Sequence, residues 1–232
     1  MKKNNQLTTI IINIIIPTII LTKLSKEAYL GPVWGLVVAL SFPLFGGLYE
    51  LMVQKQKSPI AVIGFIGVLL SGIIGLMKFP PQWIAIKEAA IPLIIGLIVL
   101  VSTNKSWQLI TKILYHRELF DIDTIDEILT QNNRQTELDK KLSRANLFLS
   151  FSFFLSSALN FILAKIIVHS QPGTTQFNEE IGRMTMLSFP VIAFPSMIII
   201  GFVFKYIITS IKTMTKLSFN EMLAEKLRSG KQ

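Results

Sequence analysis

The apolar residues of this chain are gathered into long runs, and the runs set the fold class. Six stretches are almost wholly apolar: Leu7–Leu21, Pro32–Met52, Pro59–Met77, Ile84–Val101, Leu147–Val168 and Thr185–Ile208. Most are about 20 residues long, enough for a helix rising 1.5 Å per residue to cross a hydrocarbon core of about 30 Å. The runs are continuous rather than alternating, which argues against a strand barrel. Composition agrees. The 232 residues are 51% hydrophobic and 16% charged, where a soluble domain holds about 25% charged residues. The expected fold is all-α: a polytopic membrane protein with about six transmembrane helices in antiparallel hairpins. No small-x-small cleavage site follows the first run, so that run reads as a retained anchor.

Net charge is +9. The basic residues flank the apolar runs, so the expected partner is the lipid bilayer and no nucleic acid. With the N-terminus inside, inner segments hold Lys2, Lys3, Lys55, Lys57, seven basic residues between spans four and five, and the tail from Lys205 onward. Outer loops hold Lys23, Lys26, Lys78 and Arg183. This asymmetry predicts a multi-pass protein with both termini cytoplasmic.

The chain divides into a four-helix membrane half (1–101), a cytoplasmic amphipathic segment (102–146), a two-helix hairpin (147–208) and a basic tail (209–232). In the amphipathic segment Trp107, Ile110, Ile113 and Leu114 share a helical stripe, with Lys105, Lys112 and Arg117 beside it. The stripe predicts a helix lying on the inner leaflet. Asp121 or Asp123 is a candidate helix cap, and QNNRQ (131–135) breaks the pattern. Thr136 to Asp139 reads as a capping box leading into span five. Leu217, Phe219, Met222, Leu223 and Leu227 suggest a second surface helix in the tail.

Charged residues in or near the spans are the candidate functional groups. KEAAIPLIIGLIVLV (87–101) matches KEAYLGPVWGLVVAL (26–40) at Lys, Glu, Ala, Gly, Leu and Val. Either a helical hairpin is duplicated, or a small apolar alphabet has produced a coincidence. The shared outside-to-inside direction of spans two and four favours duplication. Lys87 and Glu88 precede the fourth run. There Lys would snorkel and Glu would face a helix N-terminus, as interfacial anchors do. On the alternative reading they line a polar path. Glu50 lies near the inner end of span two, and Lys165 near the outer end of span five. Asn160 lies inside span five and is expected to bond a neighbouring helix. Pro17, Pro43, Pro92, Pro190 and Pro195 interrupt or begin the runs and predict kinks.

No enzyme motif is present. The chain has no Cys and only His116 and His169, far apart, which gives no pattern for a nucleophile–base pair or a metal site. No catalysis, cofactor or metal is expected.

The Lys87 segment, its apolar run and NKSWQLITKIL (104–114) together resemble the middle of the bacterial septation protein A family and its relatives. That family has a Lys opening one span and an amphipathic Leu/Ile-rich stretch after it. Its next span begins and ends with Asn, which Asn146 and Asn160 match in spacing. A basic residue precedes its last span, a place Arg183 occupies here. The resemblance covers Trp83–Tyr206, and the chain departs from the family in its longer 102–145 segment and its basic tail. The resemblance implies a non-enzymatic protein of the bacterial inner membrane that serves cell-envelope maintenance and septation. It would act through envelope or division membrane proteins, with an oligomer compatible. A small permease, with Glu88 or Glu50 lining a polar path, is the alternative. A cavity reached by these acids separates the two.

Overall fold

The computed structural model describes residues 11–52, 59–102 and 114–228. Among them the secondary structure is helical, apart from one antiparallel bridge between Phe120 and Leu223. The helices are α1 (Ile11–Leu24), α2 (Gly31–Met52), α3 (Pro59–Leu76), α4 (Gln82–Val101), α5 (Ile122–Gln131), α6 (Gln135–Ile167), α7 (Thr175–Ser188) and α8 (Phe194–Thr215). Two four-residue turns follow, α9 (Phe219–Met222) and α10 (Glu225–Arg228). Leu7, Lys2 and Lys3, the Lys55 and Lys57 loop, and the stripe residues Trp107, Ile110 and Ile113 lie outside the described residues.

Four helical runs are long and apolar enough to cross a membrane: Gly31–Tyr49 of α2, all of α4, all of α6, and Thr175–Thr215 through α7 and α8. The remaining apolar helices, Ile11–Leu24 and Phe65–Leu76, are shorter. The helices that carry the last two apolar runs both begin before those runs. α6 starts at Gln135 instead of Leu147, because no Gly or Pro interrupts 135–167 and the polar first third simply continues the helix. Its 33 residues extend about 50 Å, beyond the hydrocarbon thickness of about 30 Å. α7 starts at Thr175 and is capped by Thr174, whose hydroxyl accepts from Phe177 N.

Prolines act in two ways. Pro43 and Pro92 sit inside α2 and α4 without ending them. Near Pro17 and Pro190 the backbone widens into π turns, at Ile11–Ile15 and Ile20–Leu24 within α1 and at Phe189–Ala193 between α7 and α8. A proline has no N–H to donate, so the regular hydrogen-bond ladder is interrupted beside it and a wider winding is favoured.

The chain forms two compact units. The first holds residues 1–91 and 156–194, the second 92–155 and 195–232. In the first unit Leu21, Leu36, Ala39, Ile74, Ile84, Ala164, Phe177 and Ile181 form the core. A buried polar knot joins the α1–α2 turn to α7. Asn178, fully buried, donates to the Pro32 carbonyl at 2.7 Å and to Ser25 Oγ at 3.0 Å. Thr175 Oγ1 donates to the Ser25 carbonyl at 3.2 Å. Gly35 is required beside this knot, since a Cβ there would overlap the Ser25 side chain and backbone.

The second unit has its own core of Leu114, Tyr115, Phe120, Ile125, Leu129, Leu138, Leu142, Ile211 and Met222. The Phe120 ring sits 5.6 Å from that of Tyr115 and 5.9 Å from that of Phe204. Asp121 caps α5, accepting from Thr124 N at 3.2 Å. The QNNRQ break forms as expected, with Asn133 at φ 53° in the left-handed region.

Three expectations are corrected in this unit. Leu114, the last residue of the supposed leaflet stripe, is buried in the protein core instead. The core it joins comes from helices far along the chain, which the stripe alone cannot reveal. Thr136 lies inside the first turn of α6 and not at its N-cap. Arg134 closes that end instead, through Glu137 Oε2 at 3.0 Å, and reaches the Met214 carbonyl at 3.3 Å. The tail is not one surface helix. Met222 is buried, and the chain pairs with residues 119–121 through Asp121 N to Met222 O and Ala224 N to Leu119 O.

Candidate functional site

α3 and α4 bring a charged pair to the wall of a cavity. Lys87 lies five residues after the start of α4, about 7–8 Å along its axis. Ser71 lies five residues before the end of α3, so the connection between them sets the two at matching depth. Lys87 Nζ donates to Ser71 Oγ at 2.7 Å, to Glu88 Oε1 at 2.6 Å and, more weakly, to the Gly67 carbonyl at 3.5 Å. Ser71 in turn donates to Gly67 O at 3.1 Å.

This corrects the snorkelling expectation. The Lys87 side chain is only 9% exposed and Glu88 28%, and the ammonium is spent on the neighbouring helix. A helix start has room for an anion only in its first turn, and Glu88 stands beyond it. The matching tripeptide behaves differently. Lys26, Glu27 and Ala28 are exposed in a turn closed by Tyr29 N and Gly31 N on the Lys26 carbonyl. One copy of Lys-Glu-Ala is thus loop and the other is helix, so the sequence match does not extend to structure at these residues.

The cavity beside the pair measures about 320 Å³ and is lined by Asn13, Ser71, Lys87, Glu88 and Thr185, with Pro17, Leu21, Leu40, Pro43, Val68, Ile91, Ile181 and Met184 among its apolar walls. Such a size and mix suit a small ligand. Asn13 reaches it from the first π turn of α1.

A second, more open cleft of about 520 Å³ lies in the same unit, lined by Lys23, Lys26, Gln176, Glu179, Glu180 and Arg183. Glu180 is already engaged. Its carboxylate accepts from His169 N, Ser170 N and Ser170 Oγ at 2.8–2.9 Å. The two spaces lie on either side of the α1–α7 seam. Gly182 makes that seam close, since a Cβ there would stand 2.8 Å from Thr22 Cγ2 and 3.2 Å from Leu21 Cβ.

The remaining sequence candidates scatter. Arg183 is exposed on the second cleft. Asn146 is buried and donates to the Val99 carbonyl at 2.7 Å and the Ser102 carbonyl at 3.4 Å. It therefore satisfies the C-terminal carbonyls of α4. Among the described residues Asn160 does not bond a neighbouring helix. It folds back on its own, donating to Ser156 O at 2.8 Å. The interhelical bond there comes from Ser157 Oγ to Ala89 O at 2.8 Å. Glu50 is in α2, and its side chain lies outside the described residues.

Sequence reasoning passed over Asn13, Ser71 and Asn178. Ser71 had a signal: Gly67, Ser71 and Gly75 recur every four residues, a small-residue stripe that lets helices approach closely. Among the described residues no group of His, Asp and Glu converges to hold a metal. Comparison with family models, curated proteins and solved structures returned no match for this chain.

Proposed function

We propose that the chain is a small multi-span permease that binds its solute in the cavity beside Lys87 and Glu88. One observation carries the reading: a largely buried ion pair within a membrane-length helix lines a cavity. Charges at such positions are costly and commonly mark a substrate or ion path. The π turns of α1 and of the α7–α8 junction add support, since π turns inside helices are frequent at functional sites. In this reading six spans cross the bacterial inner membrane with both termini inside. The 26–40 and 87–101 match would be a relic of hairpin duplication.

The partner-mediated role in envelope upkeep or septation, implied by the septation protein A resemblance, is the second reading. The separately cored unit of 92–155 and 195–232 favours it, because a permease does not require such a unit. Complementation of a deletion strain under osmotic and envelope stress separates the two. A permease loses function in Glu88→Gln made at normal level. A partner-mediated protein keeps function in Glu88→Gln and loses it when exposed charges of the second unit, such as Arg117 and Asp123, are reversed.

A further inference from the structure

The two charges on the cavity wall cancel, and the other described lining residues are uncharged. A ligand with net charge would add one uncompensated unit beside mostly apolar walls, and such charges are disfavoured. The hydrogen-bonding valences are also partly spent. All three Lys87 donors have acceptors, the Gly67 carbonyl being the weakest. Thr185 donates to the Ile181 carbonyl at 2.9 Å. Glu88 is different: Oε1 receives Lys87, and Oε2 has no hydrogen bond among the described residues. The strongest unspent group facing the cavity is therefore an acceptor.

We propose that this cavity selects a small amphiphile that is neutral overall and donates a hydrogen bond to Glu88, such as an alcohol or an amide. Its apolar body lies along Leu40, Val68, Ile91 and Ile181. Asn13 offers the second polar contact. This inference rests on the reading that the cavity binds a solute, and goes beyond it by fixing the ligand's charge and its donor.

The test uses four diazirine-bearing six-carbon probes at neutral pH on the full chain in nanodiscs: hexanol, hexylammonium, hexanoate and pentyl methyl ether. Adducts are mapped by mass spectrometry. The wild type is expected to label at cavity residues with hexanol at least about tenfold over both ions and over the ether. Glu88→Gln leaves Lys87 alone and should shift the preference to hexanoate. Lys87→Gln should shift it to hexylammonium. The double variant restores neutrality and should return the preference to hexanol. Preference of the wild type for an ion, or equal labelling by the ether, overturns the ligand class while leaving solute binding intact. Cavity labelling whose preference the charge variants do not move overturns it as well. If no probe labels the cavity of the wild type, the solute-binding reading falls with it. Where a variant is not monodisperse, the four wild-type measurements decide.

Discussion

Lys87 of α4 and Ser71 of α3 share a 2.7 Å hydrogen bond, and this contact turns a lysine expected at the membrane surface into part of a helix interface. Removing each partner should have unequal effects. Ser71→Ala deletes one interhelical bond and should cost about 0.6–1.7 kcal/mol. Lys87→Met leaves Glu88 without its cation and should cost more, about 3 kcal/mol. Unfolding by detergent titration measures both. Equal costs would mean that the ion pair contributes nothing beyond the serine contact.

The α1–α7 seam makes a second expectation. Gly182→Ala places a methyl 2.8 Å from Thr22 Cγ2 and should destabilise by about 1–3 kcal/mol through overpacking. Thr22→Ser removes that methyl and keeps the hydroxyl that donates to Thr18 O at 2.8 Å. The double variant should recover part of the loss. No recovery would place the strain elsewhere.

The helical class, the four membrane-length helices and the break after α5 were legible because they follow from composition and local chemistry. Apolar length marks a span, and Asp121 and Asn133 act on residues within one turn. The site was legible only in part. Lys87 and Glu88 stand out as charges, but what they face depends on Ser71, sixteen residues earlier, and on Asn13 in another helix. Asn160 misled for a related reason: a mid-span amide bonds its own helix as readily as a neighbour. Leu114 misled because an apolar stripe fits a leaflet and a protein core equally well.

Tyr115 provides a pH-dependent test. Burial, helped by the nearby charges of Asp126 and Asp139, holds its phenol well above the ordinary 10.0. The unfolded chain therefore loses this proton first as pH rises. Tyr115's contribution is full below about pH 10 and declines above it. Its hydroxyl has no hydrogen-bond partner among the described residues, so Tyr115→Phe should change neutral stability by less than about 1 kcal/mol. The variant should also lose less stability than the wild type above pH 10. An unchanged alkaline profile would exclude Tyr115 as the cause.

Orientation is checked by reporter fusions. Those after Gln56, Asn133 and Lys231 should report the cytoplasm, and those after Lys26, Phe79 and Thr175 the outside. An outside signal at Asn133 would remove the six-span arrangement.

The account stands on the cavity beside Lys87 being open to polar solutes, and the chain's lack of cysteine makes that directly measurable. Ser71→Cys lies on the cavity wall, while Ile73→Cys, two residues on, replaces a side chain 46% exposed on the outer surface of its unit. A small hydrophilic thiol reagent applied to nanodiscs should modify Ser71→Cys and spare Ile73→Cys, which faces lipid. Modification of Ile73→Cys alone, or of neither, would contradict a solute-accessible cavity at the Lys87–Glu88 pair.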